Sequence, residues 1–130
     1  MNEQALLLAG FWIGIHLLTT LVLALNVTRH RMMQGQGKVD ESRVNQAVRA
    51  HGNNIEYVPA ALVAITALAL LGYSTLWINV FGGLLFVARV MHAYGMQVST
   101  PGLPKTRVLG NIITWLIYLV LAIVLIAGLF

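Results

Sequence analysis

Arg49, Asn53 and Glu56 follow one another at intervals of four and three residues, which puts the three side chains on one face of an α-helix. Arg89 and His92, three residues apart, share a face further along the chain. Arginine binds carboxylates through bidentate, charge-assisted hydrogen bonds, a carboxylate can hold an ammonium, and an amide can both donate and accept. A set of this kind can therefore bind a ligand carrying both signs of charge. Its setting is unusual, because Glu56 and Arg89 fall inside apolar runs, where an ionisable side chain costs several kcal/mol unless it is paired or hydrated. Glu56 stands about one turn inside its run, and Arg89 stands thirteen residues into the next, which returns toward the same side. The simplest expectation is a Glu56–Arg89 ion pair between the two helices. It would serve either as a lock between helices or as part of a functional recess. Pro59 removes the hydrogen bond to the carbonyl of Ile55, so a kink is expected just past Glu56 that would open a polar recess beside it.

The elements that must position these residues are membrane helices. Hydrophobic residues make up 58% of the 130-residue chain and charged residues 9%, against about 25% charged in an ordinary soluble domain. So few charges cannot cover a water-soluble protein of this size. The apolar segments predict a single all-α domain over residues 1–130, an integral membrane four-helix bundle with helices at about 5–27, 44–71, 76–95 and 108–130. The second helix is expected to begin outside the lipid, because its apolar part, Ile55 to Leu71, is short for a span. Loops are expected at about 28–43, with Gly35 and Gly37, and at 96–107, with Pro101, Gly102 and Pro104; Gly72 to Ser74 form a tight turn. The first run has no basic start and no small-residue cleavage site, and so reads as a retained span rather than a leader.

Of the eight Lys and Arg residues, seven lie in or beside the two loops: Arg29, Arg31, Lys38, Arg43 and Arg49, then Lys105 and Arg107. Four spans place both loops on one side, and the positive-inside rule makes that side cytoplasmic, with both termini outside. This topology accounts for the net charge of +4 without nucleic acid. The absence of cysteine excludes disulfides, thiolate metal sites and cysteine nucleophiles. His51 and His92 have no acidic neighbour at ligand spacing, so no metal site is expected. His16 and Asn79, deep in spans, are expected to form interhelical hydrogen bonds, and Gly82, Gly83, Gly14 and Gly110 to permit close helix contact. Trp77, at the start of a span, suits the interfacial aromatic belt.

The stretch Arg49-Ala50-His51-Gly52-Asn53-Asn54-Ile55-Glu56-Tyr57-Val58-Pro59 resembles the signature of the MAPEG family, the membrane-associated proteins in eicosanoid and glutathione metabolism. Arg89-Val90-Met91-His92-Ala93-Tyr94-Gly95 resembles a second family element, and Arg107 an arginine that opens the last helix. The likeness covers essentially the whole chain and is nearest to the compact bacterial members. It implies a homotrimer in a bacterial inner membrane, with glutathione as co-substrate held between subunits near the cytoplasmic face. By resemblance, Arg49, Asn53, Glu56, Tyr57, Arg89 and His92 would contact glutathione, Arg29 would reach one of its carboxylates, and Arg107 would hold its sulfur as thiolate. The implied activity is transfer of glutathione to a hydrophobic electrophile, or reduction of one such as a lipid hydroperoxide. Lipid binding without catalysis, or a structural or transport role resting on the Glu56–Arg89 lock, are the alternatives. Asn45 and Gln46 stand where several members have Glu-Arg, and Met96 where eicosanoid-type members tend to have tyrosine. Those departures argue against leukotriene or prostaglandin substrates.

The chemistry agrees with that implication. Glutathione carries two carboxylates and one ammonium, so its site needs several cations and at least one anion. A guanidinium against the sulfur in a half-desolvated site favours the charged form and lowers the thiol pKa, which produces the nucleophile.

Overall fold

A computed structural model describes residues 2–98 and 103–128 as four helices, α1 (Glu3–Gly35), α2 (Glu41–Leu70), α3 (Thr75–Gln97) and α4 (Lys105–Ala127), with no strand among the described residues. All four are long and apolar enough to cross a membrane. Residues 99–102 of the expected second loop, and the last two residues of the expected fourth helix, lie outside the described residues. α2 and α3 pack against each other, while α1 and α4 flank the pair and do not touch one another.

The helices are longer than their apolar runs. α1 continues through Gly35, eight residues beyond the expected end at Val27, and its 33 residues extend for about 50 Å against a hydrocarbon thickness of about 30 Å. No proline or glycine interrupts Thr28 to Gln34, and Arg, Met and Gln are good helix formers. The apolar run marks what lipid covers, not where the hydrogen-bond ladder stops. The stop comes at Gly37 (φ 69°), where the Lys38 N–H donates to the Met33 carbonyl (2.9 Å) and the Gly37 N–H to that of Gln34 (2.9 Å), a Schellman motif. α2 ends in the same way at Gly72 (φ 88°), with Tyr73 bonded to Leu68 and Gly72 to Ala69. Asp40 caps the start of α2 by accepting from the Arg43 N–H at 3.1 Å.

Small residues set how closely the helices approach. Ala5, Ala9, Ala61, Ala69 and Ala88 are buried beside Ile65, Leu68, Ile78 and Leu85 in the core. The Trp12 ring lies directly over Gly82, where an added Cβ would overlap it, and the Trp12 Nε1–H donates to Asn79 at 3.1 Å, tying α1 to α3. Asn79 thus makes the interhelical bond expected of it, and Gly110 the close approach, whereas Gly14 faces open space. Trp77 is half exposed at the start of α3 and stacks on Phe81. His16 departs from expectation. It is buried edge-on to Phe86, and neither ring nitrogen has a hydrogen-bond partner among the described residues. The polar link between α1 and α2 is made one turn later, where the Asn54 amide donates to the Thr20 hydroxyl at 2.9 Å. Gly82→Ala should expel the Trp12 ring and break its bond to Asn79, lowering stability by about 1–3 kcal/mol in a detergent unfolding titration. Gly14→Ala should stay within about 0.5 kcal/mol of wild type in the same assay.

Candidate functional site

At the end of the bundle that carries the α1–α2 and α3–α4 connections, three helices enclose a polar cleft of about 320 Å³. α2 contributes Arg49, Gly52, Asn53 and Glu56 to its wall, α3 contributes His92 and Met96, and α4 contributes Arg107 and Asn111. The four- and three-residue spacing on α2 aims one guanidinium, one amide and one carboxylate into the same space. Arg49 and Glu56 are exposed, while Asn53 and Arg107 are half buried. α4 is seated by two glycines. A Cβ on Gly110 would come to 2.5 Å from the Ala88 carbonyl oxygen, and one on Gly95 to 2.5 Å from the Arg107 nitrogen. This contact of α3 with α4 carries Arg107 to the cleft.

Arg89 is not in the cleft but behind its wall, with 0% of its surface exposed. The expected ion pair with Glu56 is not formed among the described residues. Arg89 Nη2 instead donates to Asn53 Oδ1 at 2.5 Å and lies 3.3 Å from His92 Nδ1, while Nη1 reaches the Thr114 hydroxyl at 3.5 Å. The Tyr57 ring covers the guanidinium at 5.6 Å from its centroid. The physical reason is geometric and electrostatic together. Asn53 and Glu56 differ by about 60° around α2, enough to turn Asn53 inward and leave Glu56 at the open rim. A carboxylate there keeps its hydration, which burial against Arg89 would remove.

Arg89 fixes how two cleft residues present themselves. Guanidinium groups only donate, so the Asn53 carbonyl oxygen is committed inward and its NH2 is left to donate to a ligand. By the same logic His92 Nδ1 is the acceptor, which places the ring proton of a neutral His92 on Nε2. Arg89 is thus a positioning residue rather than a contact. Tyr57 also lies outside the cleft lining, with its hydroxyl accepting from Trp115 Nε1–H at 3.2 Å and its carbonyl accepting from the Tyr118 hydroxyl. Arg29 is exposed on α1, a helix that contributes nothing to the cleft. Of the eight residues singled out in the sequence, five therefore line one cleft: Arg49, Asn53, Glu56, His92 and Arg107.

Two further cavities differ in character. One of about 510 Å³ lies between α1 and α3 and includes Leu18, Val22, Phe86 and Tyr94; another of about 420 Å³ includes Tyr73, Trp77 and Phe81. Neither is lined by a charged residue. Among the described residues there is no group of His, Asp and Glu able to hold a metal ion. A third cavity, of about 560 Å³ at the α1–α2 connection, includes Lys38, Asp40 and Arg43. Charge alone therefore does not single out the cleft of α2, α3 and α4, which is distinguished by being lined from three helices.

The sequence model of the MAPEG family matches residues 9–127, which include every residue of the cleft. Among curated proteins, the chain is 33% identical over 69 residues to the inner membrane protein YecN of Escherichia coli K12, and equally to YecN of Escherichia coli O6:H1. That match covers 53% of this chain and about half (51%) of the length of each relative. No solved structure matches the chain.

The arrangement separates two kinds of polar residue by their effect on the fold. Asn53→Ala should leave Arg89 Nη2 buried with one charge-assisted bond fewer and destabilise the protein by about 1.5–3 kcal/mol. Glu56→Gln should stay within about 0.5 kcal/mol. Detergent unfolding titrations of both variants check the pair, and a large loss in Glu56→Gln would restore the ion pair that the structure lacks.

Proposed function

Because this chain belongs to the MAPEG family, we propose that it is a membrane-bound glutathione transferase that presents the glutathione thiolate to a hydrophobic electrophile at the bilayer surface. The observation that carries this reading is the charge pattern of the cleft, two arginines and a carboxylate around donors from Asn53 and His92. A ligand with two carboxylates, one ammonium and a thiol is complementary to that set. Arg49 would take a carboxylate in bidentate fashion, Glu56 the ammonium, and the Asn53 NH2 a carboxylate or carbonyl oxygen. Arg107, half buried on α4, would lie against the sulfur and favour its ionised form. Attack of the thiolate on an electrophilic carbon forms the C–S bond and expels the leaving group, or opens a strained ring. Reduction of a lipid hydroperoxide would use the same thiolate: its sulfur attacks a peroxide oxygen and breaks the O–O bond, the lipid alcohol leaves, and a second glutathione converts the resulting sulfenic acid to glutathione disulfide and water.

A homotrimer is part of the same proposal. Arg49 and Glu56 are exposed on α2 and leave that side of the cleft open, and docking of a neighbour would close it around a bound ligand. Arg29, remote from the cleft of its own chain, would then reach the site from the adjoining subunit's α1. The basic loop ends and the inner membrane location of the YecN relatives support a multi-pass protein of the bacterial inner membrane, with the cleft toward the cytoplasm, where glutathione is abundant. The electrophile, being apolar, would arrive laterally through lipid.

Titration of glutathione into the detergent-purified protein tests the proposal, with difference absorbance near the thiolate band as the second readout. Saturable binding with a thiolate signal is expected, together with a trimeric mass. Glu56→Gln should weaken binding about ten-fold or more, through loss of the ammonium's partner. Arg107→Leu should retain binding but lose most of the thiolate band. Absence of glutathione binding by the wild-type protein would contradict the proposal, and binding without thiolate would favour a non-catalytic member of the family.

A further inference from the structure

Asn111 lines the cleft one turn beyond Arg107 on α4, and no hydrogen bond of the fold uses its carbonyl oxygen. The Oδ1 atom is buried and has no partner among the described residues. Native proteins rarely leave a buried amide oxygen unpaired, because its desolvation is then uncompensated. Asn53 and His92 are tied to Arg89 through their acceptor atoms and Thr114 donates to the Gly110 carbonyl, and none of the three bonds to Asn111 Oδ1. Gly110 beside it brings α4 close to the Ala88 carbonyl and the His92 backbone of α3, which seats Asn111 against the α3 side of the cleft. The side chain is therefore held, unpaired, at the inner wall of a cleft whose other polar residues face the same space.

We propose that Asn111 is a ligand-contacting residue of this cleft, its Oδ1 accepting a hydrogen bond from an uncharged N–H of the bound molecule, which on the transferase reading above is a peptide amide of glutathione. The choice of an uncharged donor follows from position. Arg107 stands one turn away on the same helix face, Arg49 lines the same cleft and Arg89 lies behind its wall, so around an ammonium placed at Asn111 cations would outnumber the one carboxylate, Glu56, by three to one. Glu56, exposed at the rim, is the site for the ammonium instead. A neutral acceptor can satisfy an amide N–H without the desolvation that a buried ammonium would require. Asn111 thereby distinguishes a peptide from a simple thiol or a fatty acid, neither of which offers an N–H there.

The test uses Asn111→Leu, which keeps the branched shape and the number of side-chain heavy atoms and removes both amide ends. Its ligand-free thermal stability should equal or exceed that of wild type, since an unpaired polar group has been removed. Its oligomeric state should be unchanged, and its glutathione Kd should rise about five- to ten-fold. Glutathione N-methylated at one of its two amide nitrogens should bind wild type more weakly by a similar factor, yet bind Asn111→Leu no more weakly than glutathione itself does. Unchanged glutathione affinity in Asn111→Leu would overturn the inference, as would a ligand-free protein that is less stable or dissociated. The latter results would assign Asn111 to the fold or to a subunit contact. If wild type binds no glutathione, the transferase reading fails on its own. The ligand-free stability of Asn111→Leu then still decides this inference, with a loss overturning it and no loss upholding an acceptor kept free for another N–H ligand.

Discussion

A guanidinium with no exposed atom and no carboxylate against it is the constraint on which the rest of this structure depends. Arg89 sits where three of the four helices meet, and an unpaired cation in such a place would be expelled or would pull water in. Its two terminal nitrogens are held by neutral groups, the Asn53 oxygen from α2, the Thr114 hydroxyl from α4 and a ring nitrogen of His92, and the face of Tyr57 covers it, while Nε has no partner among the described residues. Each partner comes at a price in freedom. Asn53 and His92 can face the cleft in only one hydrogen-bonding sense, and Thr114 brings α4 in beside them. The cleft is thus organised from behind, by a residue that does not touch its contents.

From this arrangement follows a division of labour among charges. The buried guanidinium sets orientation, whereas the exposed Arg49 and Glu56 and the half-buried Arg107 remain free to bind. An ion pair between Glu56 and Arg89 would have satisfied both groups and left a cleft lacking its anion. Keeping Glu56 at the rim costs the fold little, because a hydrated carboxylate is stable there. α1 takes no part in its own chain's cleft, and its basic end projects well past the apolar span. In the proposed trimer, α1 of one subunit would serve the cleft of the next.

Much of this was legible in the sequence because helices translate spacing into direction. Three residues at intervals of four and three had to share a face, and five of the singled-out side chains do line one cleft. The apolar runs located the four helices, but not their ends. α1 outran its run by eight residues because good helix formers continue after Val27, and hydropathy is blind to a helix in water. The Glu56–Arg89 pairing failed for a related reason. Depth and charge favoured it, but about 60° of helix rotation and the hydration of Glu56 decided for Asn53. Asn111 gave no signal beyond its four-residue offset from Arg107, and Gly95 none beyond its size. Both matter only through the seating of α4 on α3, a packing fact that no spacing along one helix contains. Tyr57 and Arg29 matched a family pattern while lying outside the cleft of a single chain.

In the proposed function, one cleft, shaped from behind by Arg89, holds glutathione through Arg49, Asn53, Glu56 and Arg107. An experimental structure of the protein in lipid nanodiscs with glutathione bound tests it most directly. The tripeptide is expected between α2, α3 and α4, with its ammonium on Glu56, its sulfur beside Arg107 and Arg89 still bonded to Asn53. Glutathione lodged elsewhere, or an Arg89 that has turned to pair with Glu56, would contradict it.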